Sequence, residues 1–386
     1  MNTPLRVLMV SDVYFPRING VSTSIETFRM ALPAHGVEVG LVAPRYGGEA
    51  DTAGISRVTG RRLPRDPEDR LMAYGPLRRA VLSAAPGYDL IHIQTPFAAH
   101  YAGLHAAKTL GKPVLATYHT LFEEYLQHYI PMLPARGLRA IARRFSRGQC
   151  NALDAVVVPS RAMDERLGVY GVSVPRHILP TGLPENAFRP GDRAFFRARH
   201  GIAPETPVAL FVGRVAHEKN IGFLLEALVE VRRRMPEVLL LITGEGPALE
   251  ELRRQAHRLG LDGAVRFLGY LDRRGELRDA YAAADVFTFA SRTETQGLVL
   301  LEAMAQGCPV VALSAMGTSD ILEPRRGCRA APDDPVAFAQ ALLGLLADPP
   351  GRARLATEAR TYAMEWSDSA LAGRMARLYR SLLVEA

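Results

Sequence analysis

The 386-residue chain is poor in cysteine and lysine and has no long apolar run. No stretch approaches the ~20 consecutive apolar residues of a membrane-spanning helix. Cys150, Cys308 and Cys328 are the only cysteines and lie far apart, a spacing that fits neither a disulfide framework nor a zinc site. The opening MNTPLRVLMVSDVYF goes from a polar tip into a short strand-like run, without the basic cap and longer apolar core of an export signal. A GxGxxG fingerprint, a P-loop, a Ser-His-Asp order, a His/Cys cluster and a DxD pair are also missing. The expectation is a reduced, cytoplasmic protein with no metal and no tightly held cofactor.

What is present begins with charge. Residues 1–190 hold 22 Lys+Arg against 15 Asp+Glu and the remainder 25 of each, so the whole excess of +7 sits in the first half. Such a surface attracts phosphates of nucleic acid, lipid headgroups or phosphorylated substrates alike. It equally suits an arginine-rich chain with solvated faces. No recognised nucleic-acid-reading module accompanies it, so a nucleic-acid partner is not expected.

Short β-branched runs alternate with helical patterns through both halves. LRVLMV (5–10), VEVGLVA (37–43), LIHIQ (90–94), VLATY (114–118) and AVVVPS (155–160) read as buried strands. VALFV (208–212), VLLLIT (238–243), VRFLG (265–269), DVFTFA (285–290) and PVVAL (309–313) repeat the pattern. Amphipathic segments lie between them, near 22–34 and 97–110, then 221–234, 248–260, 275–284 and 297–306. This order predicts two successive parallel-sheet α/β domains, 1–185 and 186–362, facing a central cleft. Residues 181–193 read as an aperiodic linker. The tail from 362 to 383 reads as one amphipathic helix carrying Trp366, Leu371, Met375, Leu378 and Leu382. It is expected to cross back onto the first domain, although a local cap suits it too.

The residues suited to chemistry fall at the carboxyl ends of strands, where open parallel sheets bind ligands. In SRTETQGLVLLEAMAQGCPVVAL (291–313), Gln296, Gly297 and Leu298 sit at a helix N-terminus, whose free amides and dipole favour an anion. Glu294 stands at the lip of this loop and Glu302 inside the helix. A carboxylate suits a vicinal diol because it can accept from two neighbouring hydroxyls. Two glutamates with seven residues between them are more often solvated surface. Glu302, however, lies among LVLLEAMA, where a lone buried carboxylate is costly. In VGRVAHEKN (212–220), Arg214 and Lys219 can meet a diphosphate as a fork and a point charge. Only Lys108, Lys112 and Lys219 stand against 44 arginines, which makes a lysine at 219 conspicuous. In SDVYFPRINGVSTS (11–24), Gly20 permits close backbone approach. His119, at the end of VLATYHT, can bind a hydroxyl or phosphate, or serve structurally; for His92 the structural role is preferred. The turns GEGP (244–247), with Gly244, and FLGYL (267–271), with Tyr270, can hold a nucleobase.

Together, VGRVAHEKN, GEGP, FLGYL and TETQGLVLLEAMAQGCPVVA resemble the GT-B retaining glycosyltransferases of family 4, over nearly the whole chain. The resemblance implies a hexosyltransferase with a nucleotide-sugar co-substrate; charge neutralisation by Arg214, Lys219 and the helix N-terminus would make a metal unnecessary. It implies Glu294 on the hexose and Glu302 on the ribose. Arg214, Lys219 and the amides of Gln296–Leu298 would take the diphosphate, with Gly20 and His119 lining the donor. It also implies front-face substitution, in which the leaving phosphate takes the acceptor's proton, so no classical nucleophile or base is assigned. Most members read E-G-F-G where this chain reads Glu294-Thr295-Gln296-Gly297. That form, with YHTLFEEYLQHY (118–129), is similar to the branch that glycosylates lipids, including diacylglycerol glucosyltransferases and related mannosyltransferases.

The segment after His119 points the same way. Phe122, Tyr125, Tyr129, Met132 and Leu133 precede PARGLRAIARRFSRGQC (134–150), which has Arg136, Arg139, Arg143, Arg144 and Arg147 and no acid. With Leu138, Ile141, Ala142 and Phe145 as an apolar stripe, this is the pattern of an interfacial helix on anionic lipid. The same stripe can pack on the core and leave the arginines solvated. The expected function is transfer of a hexose, foremost glucose from UDP-glucose, to a lipid such as 1,2-diacylglycerol. The protein would sit peripherally at the inner face of the cell membrane. The alternatives are a GDP-mannose- or other sugar-nucleotide-dependent transferase acting on a polysaccharide or glycolipid, and a sugar-nucleotide-binding module without turnover.

Overall fold

A computed structural model of the chain describes residues 4–50, 52–63, 66–119, 135–273 and 275–384. The chain forms two compact units: residues 1–182 with 368–386, and residues 183–367.

The first unit is built on strands β1 (Leu5–Val10), β2 (Val37–Arg45), β3 (Ile55–Thr59), β6 (Leu90–Ile93), β7 (Val114–Thr117), β8 (Ala155–Val158) and β9 (Arg176–Ile178), with a small antiparallel pair β4 (Arg61–Leu63) and β5 (Asp66–Leu71) apart from them. They form a seven-stranded parallel sheet in the order β3-β2-β1-β6-β7-β8-β9. Consecutive residues such as Val7, Leu8, Met9 and Val10 are all buried. A strand covered on both faces needs such an unbroken apolar run, and this explains why the central strands were readable. The helices of this unit are α1 (Gly20–Ala31), α2 (Tyr74–Ala84), α3 (Ala98–Leu110), α4 (Ala135–Cys150) and α5 (Arg161–Val169).

The second unit opens with α6 (Arg193–Arg199) and continues with β10 (Val208–Val212), α7 (Ile221–Arg232), β11 (Leu239–Thr243), α8 (Leu249–Arg258), β12 (Val265–Gly269), α9 (Glu276–Ala283), β13 (Val286–Phe289), α10 (Leu298–Ala305), β14 (Val310–Leu313), α11 (Thr318–Leu322), β15 (Cys328–Ala331), α12 (Pro335–Leu346) and α13 (Pro349–Met364). Its six strands are parallel in the order β12-β11-β10-β13-β14-β15. In each sheet the order reverses beside the first strand, between β1 and β6 and between β10 and β13. Those are the switch points at which such sheets bind ligands.

Three expectations need correction. The stretch 181–193 carries the boundary between the units, after Gly182, but it is not without structure. It contains a short 3-10 turn, Glu185–Phe188, and Asp192 caps α6 by accepting from Phe195 N at 2.8 Å. Arg193 and the buried Arg197 then clamp Asp285 at 2.8 and 3.0 Å. The tail is not one helix from 362 either. The helix breaks after Met364, and α14 (Asp368–Val384) follows. Trp366 lies in the break and packs against the second unit's core, edge-on to Tyr362. Leu371, Met375, Leu378, Tyr379 and Leu382 of α14 bury into the first unit's core, each worth ~1.5–3 kcal/mol. Tyr379 also bonds His92 Nδ1 at 2.8 Å, while His92 Nε2 meets Thr117 Oγ1 at 2.8 Å, so His92 pins the tail and is structural.

The third correction concerns α4. Its inner face is Ala142, Ser146, Gln149 and Cys150, while Ile141 is 59% exposed and Phe145 half-buried. The apolar stripe is therefore rotated from the one expected. Ser146 bonds the Tyr118 hydroxyl at 2.9 Å and Gln149 donates to Pro96 O at 2.7 Å. With those polar groups satisfied they can be buried, and Ile141 is left at the surface. Leu138 lies outside the described side chains. All three cysteines are free and buried.

Candidate functional site

At the carboxyl edge of the second sheet three turns are laced together through the backbone. Gly213 N donates to Thr243 O at 3.1 Å, Gly244 N to Gly269 O at 2.7 Å and Val215 N to Glu245 O at 2.9 Å. Gly244 has φ +123°, and a Cβ there would stand 1.9 Å from Gly213 O. Only glycine permits this approach. Tyr270 follows on the β12 turn and is exposed. Arg214 is exposed as well, and among the described residues its guanidinium has no hydrogen-bond or ion-pair partner.

The loop after β10 is tied to the loop after β13 across the switch point. Asn220, in the left-handed region at φ 54°, donates to Ala290 O at 3.1 Å, and Ser291 Oγ donates to Glu218 O at 3.2 Å. These ties bring Lys219 onto Glu294 as an ion pair, with side chains 21% and 16% exposed. Behind the pair, Gly317 N donates to Glu294 O at 2.8 Å. A Cβ on Gly317 would lie 2.1 Å from Thr295 O, so this glycine, unremarked in the sequence, sets the height of the Glu294 loop. Gly297 then takes φ +95° and starts α10 with no side-chain cap. The first amides of that helix are thus left to an outside acceptor. Gln296 is buried beside them.

Glu302 is half-buried on α10 and has the partners its setting demands. Arg273 pairs with one carboxylate oxygen and the Tyr281 hydroxyl donates to the other at 2.8 Å. Glu302 in turn raises the Arg273 pKa, and burial, with Glu302 second, pushes the Tyr281 hydroxyl well up. Sequence reading missed both partners. The only signal was that a carboxylate among LVLLEAMA requires some cation.

In the first unit His119 follows β7. Burial lowers its pKa to about 4, so the ring is neutral at physiological pH, and its Nε2 meets Gln94 Oε1 at 3.0 Å. Gln94 Nε2 is buried without a partner. Asp12, at the end of β1, takes Thr95 Oγ1 at 2.7 Å and Ala99 N at 3.1 Å, capping α3. Burial raises its pKa to about 6. Gly20 is exposed at the start of α1, and a Cβ there would meet nothing within 4 Å. Among the described residues no packing asks for glycine at that place. Arg143, Arg144 and Arg147 are exposed on α4, Arg143 lying 5.7 Å over the Tyr170 ring. The Arg136 and Arg139 side chains, and Phe122, Tyr125, Tyr129, Met132 and Leu133, lie outside the described residues. Among the described residues no group of three or more His, Cys, Asp or Glu side chains could hold a metal, and no helix is long and apolar enough to cross a membrane.

Comparison with known proteins gives the family and the fold. The family model of glycosyl transferases group 1 matches residues 206–348, and that of Glycosyltransferase Family 4 matches residues 18–186. Alpha-monoglucosyldiacylglycerol synthase of Streptococcus pneumoniae is 34% identical over 80% of this chain and 71% of its own length. A GDP-mannose-dependent alpha-(1-6)-phosphatidylinositol monomannoside mannosyltransferase of Mycolicibacterium smegmatis is 29% identical over 96% of this chain and 97% of its own. Among solved structures, Anabaena HepE in complex with UDP has the same fold, with a TM-score of 0.76, 22% identity, and 98% and 100% of the two chains covered. With both halves matched in order and the two parallel sheets of the GT-B fold in place, the chain belongs to glycosyltransferase family 4.

Proposed function

We propose that this glycosyltransferase moves a hexose, foremost glucose from UDP-glucose, onto a membrane lipid of the diacylglycerol type. The observation that carries the donor side is the Lys219–Glu294 pair at the β10/β13 switch point, beside Arg214, which has no partner among the described residues, and an α10 N-terminus with no side-chain cap. A diphosphate over those amides would draw Arg214 and Lys219, releasing Glu294 to accept from hexose hydroxyls. Glu302, already fitted with donors, would accept from the ribose diol. The turns at Gly244 and Tyr270 would hold the base. His119, neutral and braced by Gln94, suits a sugar hydroxyl, and Gly20 leaves room for ligand backbone contact.

The reaction would proceed on one face of the sugar. The bond from the anomeric carbon to the phosphate oxygen breaks, the acceptor oxygen bonds that carbon from the same side, and its proton passes to the leaving phosphate. Arg214, Lys219 and the helix amides would neutralise the leaving group, so no metal is required. The lipid acceptor is supported by the pneumococcal relative, named for a monoglucosyl diacylglycerol. It is supported also by Arg136, Arg139, Arg143, Arg144 and Arg147 on α4, which would meet an anionic membrane surface at ~1 kcal/mol per charge. The mycobacterial relative favours a second reading, GDP-mannose and a phosphatidylinositol glycoside.

The test is incubation of the pure protein with UDP-glucose, or in parallel GDP-mannose, and diacylglycerol-containing vesicles. Product is followed by mass spectrometry, anomeric configuration by NMR, and metal dependence by chelation. Donor consumed only with soluble sugar acceptors would overturn the lipid reading. Donor bound but never consumed would leave a binding module.

A further inference from the structure

Glu302, on the second turn of α10, has its two carboxylate oxygens held by donors of unlike kind. The Tyr281 hydroxyl donates to one oxygen at 2.8 Å from α9, and Arg273, on the turn after β12, pairs with the other. Tyr281 is 2% exposed, and its ring lies tilted against Phe287 of β13 at 5.7 Å, so packing fixes the hydroxyl. The Arg273 side chain is 43% exposed.

That difference decides which donor can give way. An ion pair open to water contributes little net, because solvent screens it. Breaking the Tyr281 bond would instead leave a buried hydroxyl without its acceptor. Burial, with Glu302 second, keeps that hydroxyl well above its ordinary pKa, so it remains a donor at any working pH.

The first unit holds a triad of the same composition. Tyr14 donates to Glu26, and Arg29, one turn on along the same helix, grips the two oxygens of Glu26 at 2.8 and 3.0 Å. There the arginine is the less exposed partner, 20% against 33%. At Glu302 the arginine comes from a distant turn and is the more exposed partner, 43% against 14%. The first triad is closed within one helix. The second is closed by a cation that a ligand can displace.

A vicinal diol offers two hydroxyls to one carboxylate, and both fit only when the carboxylate plane is set. The last torsion of a glutamate is broad and does not set it. A fixed hydroxyl on one oxygen does.

We infer that Tyr281 is a positioning residue that makes Glu302 a reader of the intact ribose diol, with Arg273 the partner that yields. The site then takes ribonucleoside diphosphate sugars and refuses their 2′-deoxy counterparts. This role rests on the ribose contact proposed for Glu302, and adds what orients the carboxylate and which donors are turned away.

Calorimetric titration of the full chain with UDP and 2′-deoxy-UDP, and in parallel with GDP and 2′-deoxy-GDP, gives the preference for ribose as a ratio of Kd values. For the base that binds, the wild type is expected to prefer the ribonucleotide by roughly 10–100-fold, the range for a lost hydrogen bond to a charged group. Tyr281→Phe should bring the ratio to within about threefold of unity, by weakening the ribonucleotide and leaving the 2′-deoxy form as it was. Glu302→Asp keeps the charge but draws the carboxylate back from Tyr281. It should lose the ratio too, and reads the same role if the Tyr281 variant does not fold. Arg273→Gln should keep the ratio, since it removes the partner that the diol displaces. Circular dichroism checks the fold of each variant. If the wild type shows no preference, or Glu302→Gln keeps it, the ribose contact itself falls and this role with it. If Glu302→Gln abolishes the preference and Tyr281→Phe keeps it, only the positioning role is overturned. Equal weakening of both nucleotides by Tyr281→Phe would mark a structural role and overturn it as well. So would an equal collapse in Arg273→Gln, since any donor to Glu302 would then serve.

Discussion

At the carboxyl edge of the second sheet two carboxylates are each held by a cation, Glu294 by Lys219 and Glu302 by Arg273. The matching edge of the first sheet is made differently. Asp12 is held by a hydroxyl and helix amides, His119 by an amide, and His92 by two hydroxyls, with no formal counter-charge among these partners. Ion pairs near a surface are exchangeable, because a charged ligand can take over one partner at modest net expense. A neutral, buried edge is the reverse. It resists charging and holds its shape. The second edge is therefore suited to seize a charged donor and the first to present fixed, uncharged groups.

The largest expected effect is on the exchangeable side. Glu294→Ala should reduce transfer about a thousandfold, as loss of one strong electrostatic contact in a reacting site does, with an unchanged circular dichroism spectrum. If the variant keeps more than a tenth of wild-type activity, the pair with Lys219 serves only to hold the loop. Lys219→Met should raise the donor KM by roughly 10–100-fold, the range for a lost hydrogen bond to a charged group. Lys219→Arg should recover only part of that, since a planar fork does not replace a compact ammonium. Full recovery would show that any cation suffices there.

Acid should separate the two units. Burial lowers His92 to about 3 and His100 and His119 to about 4, against an ordinary histidine near ~6.5. In the unfolded chain these rings take protons below pH ~6.5, while in the folded unit they remain neutral. Their share of stability is intact above that pH and is lost as pH falls toward 4. Asp12 has the opposite sign. Its raised carboxyl takes a proton in the folded state first, so a penalty present above pH 6 is relieved as pH falls through that value. Three groups oppose one, and the first unit should weaken on going from pH ~7 to ~4.5. The chain's single tryptophan, Trp366, reports the second unit. Urea unfolding followed by circular dichroism should thus acquire an early phase at low pH that Trp366 fluorescence does not share. Coincident curves would remove the asymmetry. The smallest effect expected is Tyr379→Phe, which removes one buried partner of His92. It should lower first-unit stability by ~1 kcal/mol in thermal melts, with donor binding untouched.

The central strands were legible because burial on both faces leaves few polar positions, so LRVLMV, with only Arg6 polar, and VALFV declare themselves. Ile55–Thr59, Arg176–Ile178 and Cys328–Ala331 are paired on one side only. Edge strands carry polar and basic residues, and ISRVT, RHI and CRAA do not look like core. The tail misled because apolar spacing continued through residues 365–367, where the backbone leaves one unit for the other. Of the residues proposed for the site, Glu294, Glu302, Arg214 and Lys219 could be picked out by motif and context. Arg273, Tyr281 and Gly317 were not, since each gains meaning only from strand order, which sets a distant turn beside α10.

The tail helix has a consequence in the order of synthesis. Its residues complete the first unit's core, yet they are made only after the entire second unit. Until then Leu371, Met375 and Tyr379 are missing from a hydrophobic layer already present around α1 and β2, and His92 lacks one of its two hydroxyl partners. The usual sequence in which an N-terminal domain folds as it leaves the ribosome is closed to this chain. The second unit can finish first. The growing polypeptide must carry an open apolar face through nearly two hundred further residues of translation, so truncation after Ser367 should yield a folded second unit attached to an aggregation-prone first.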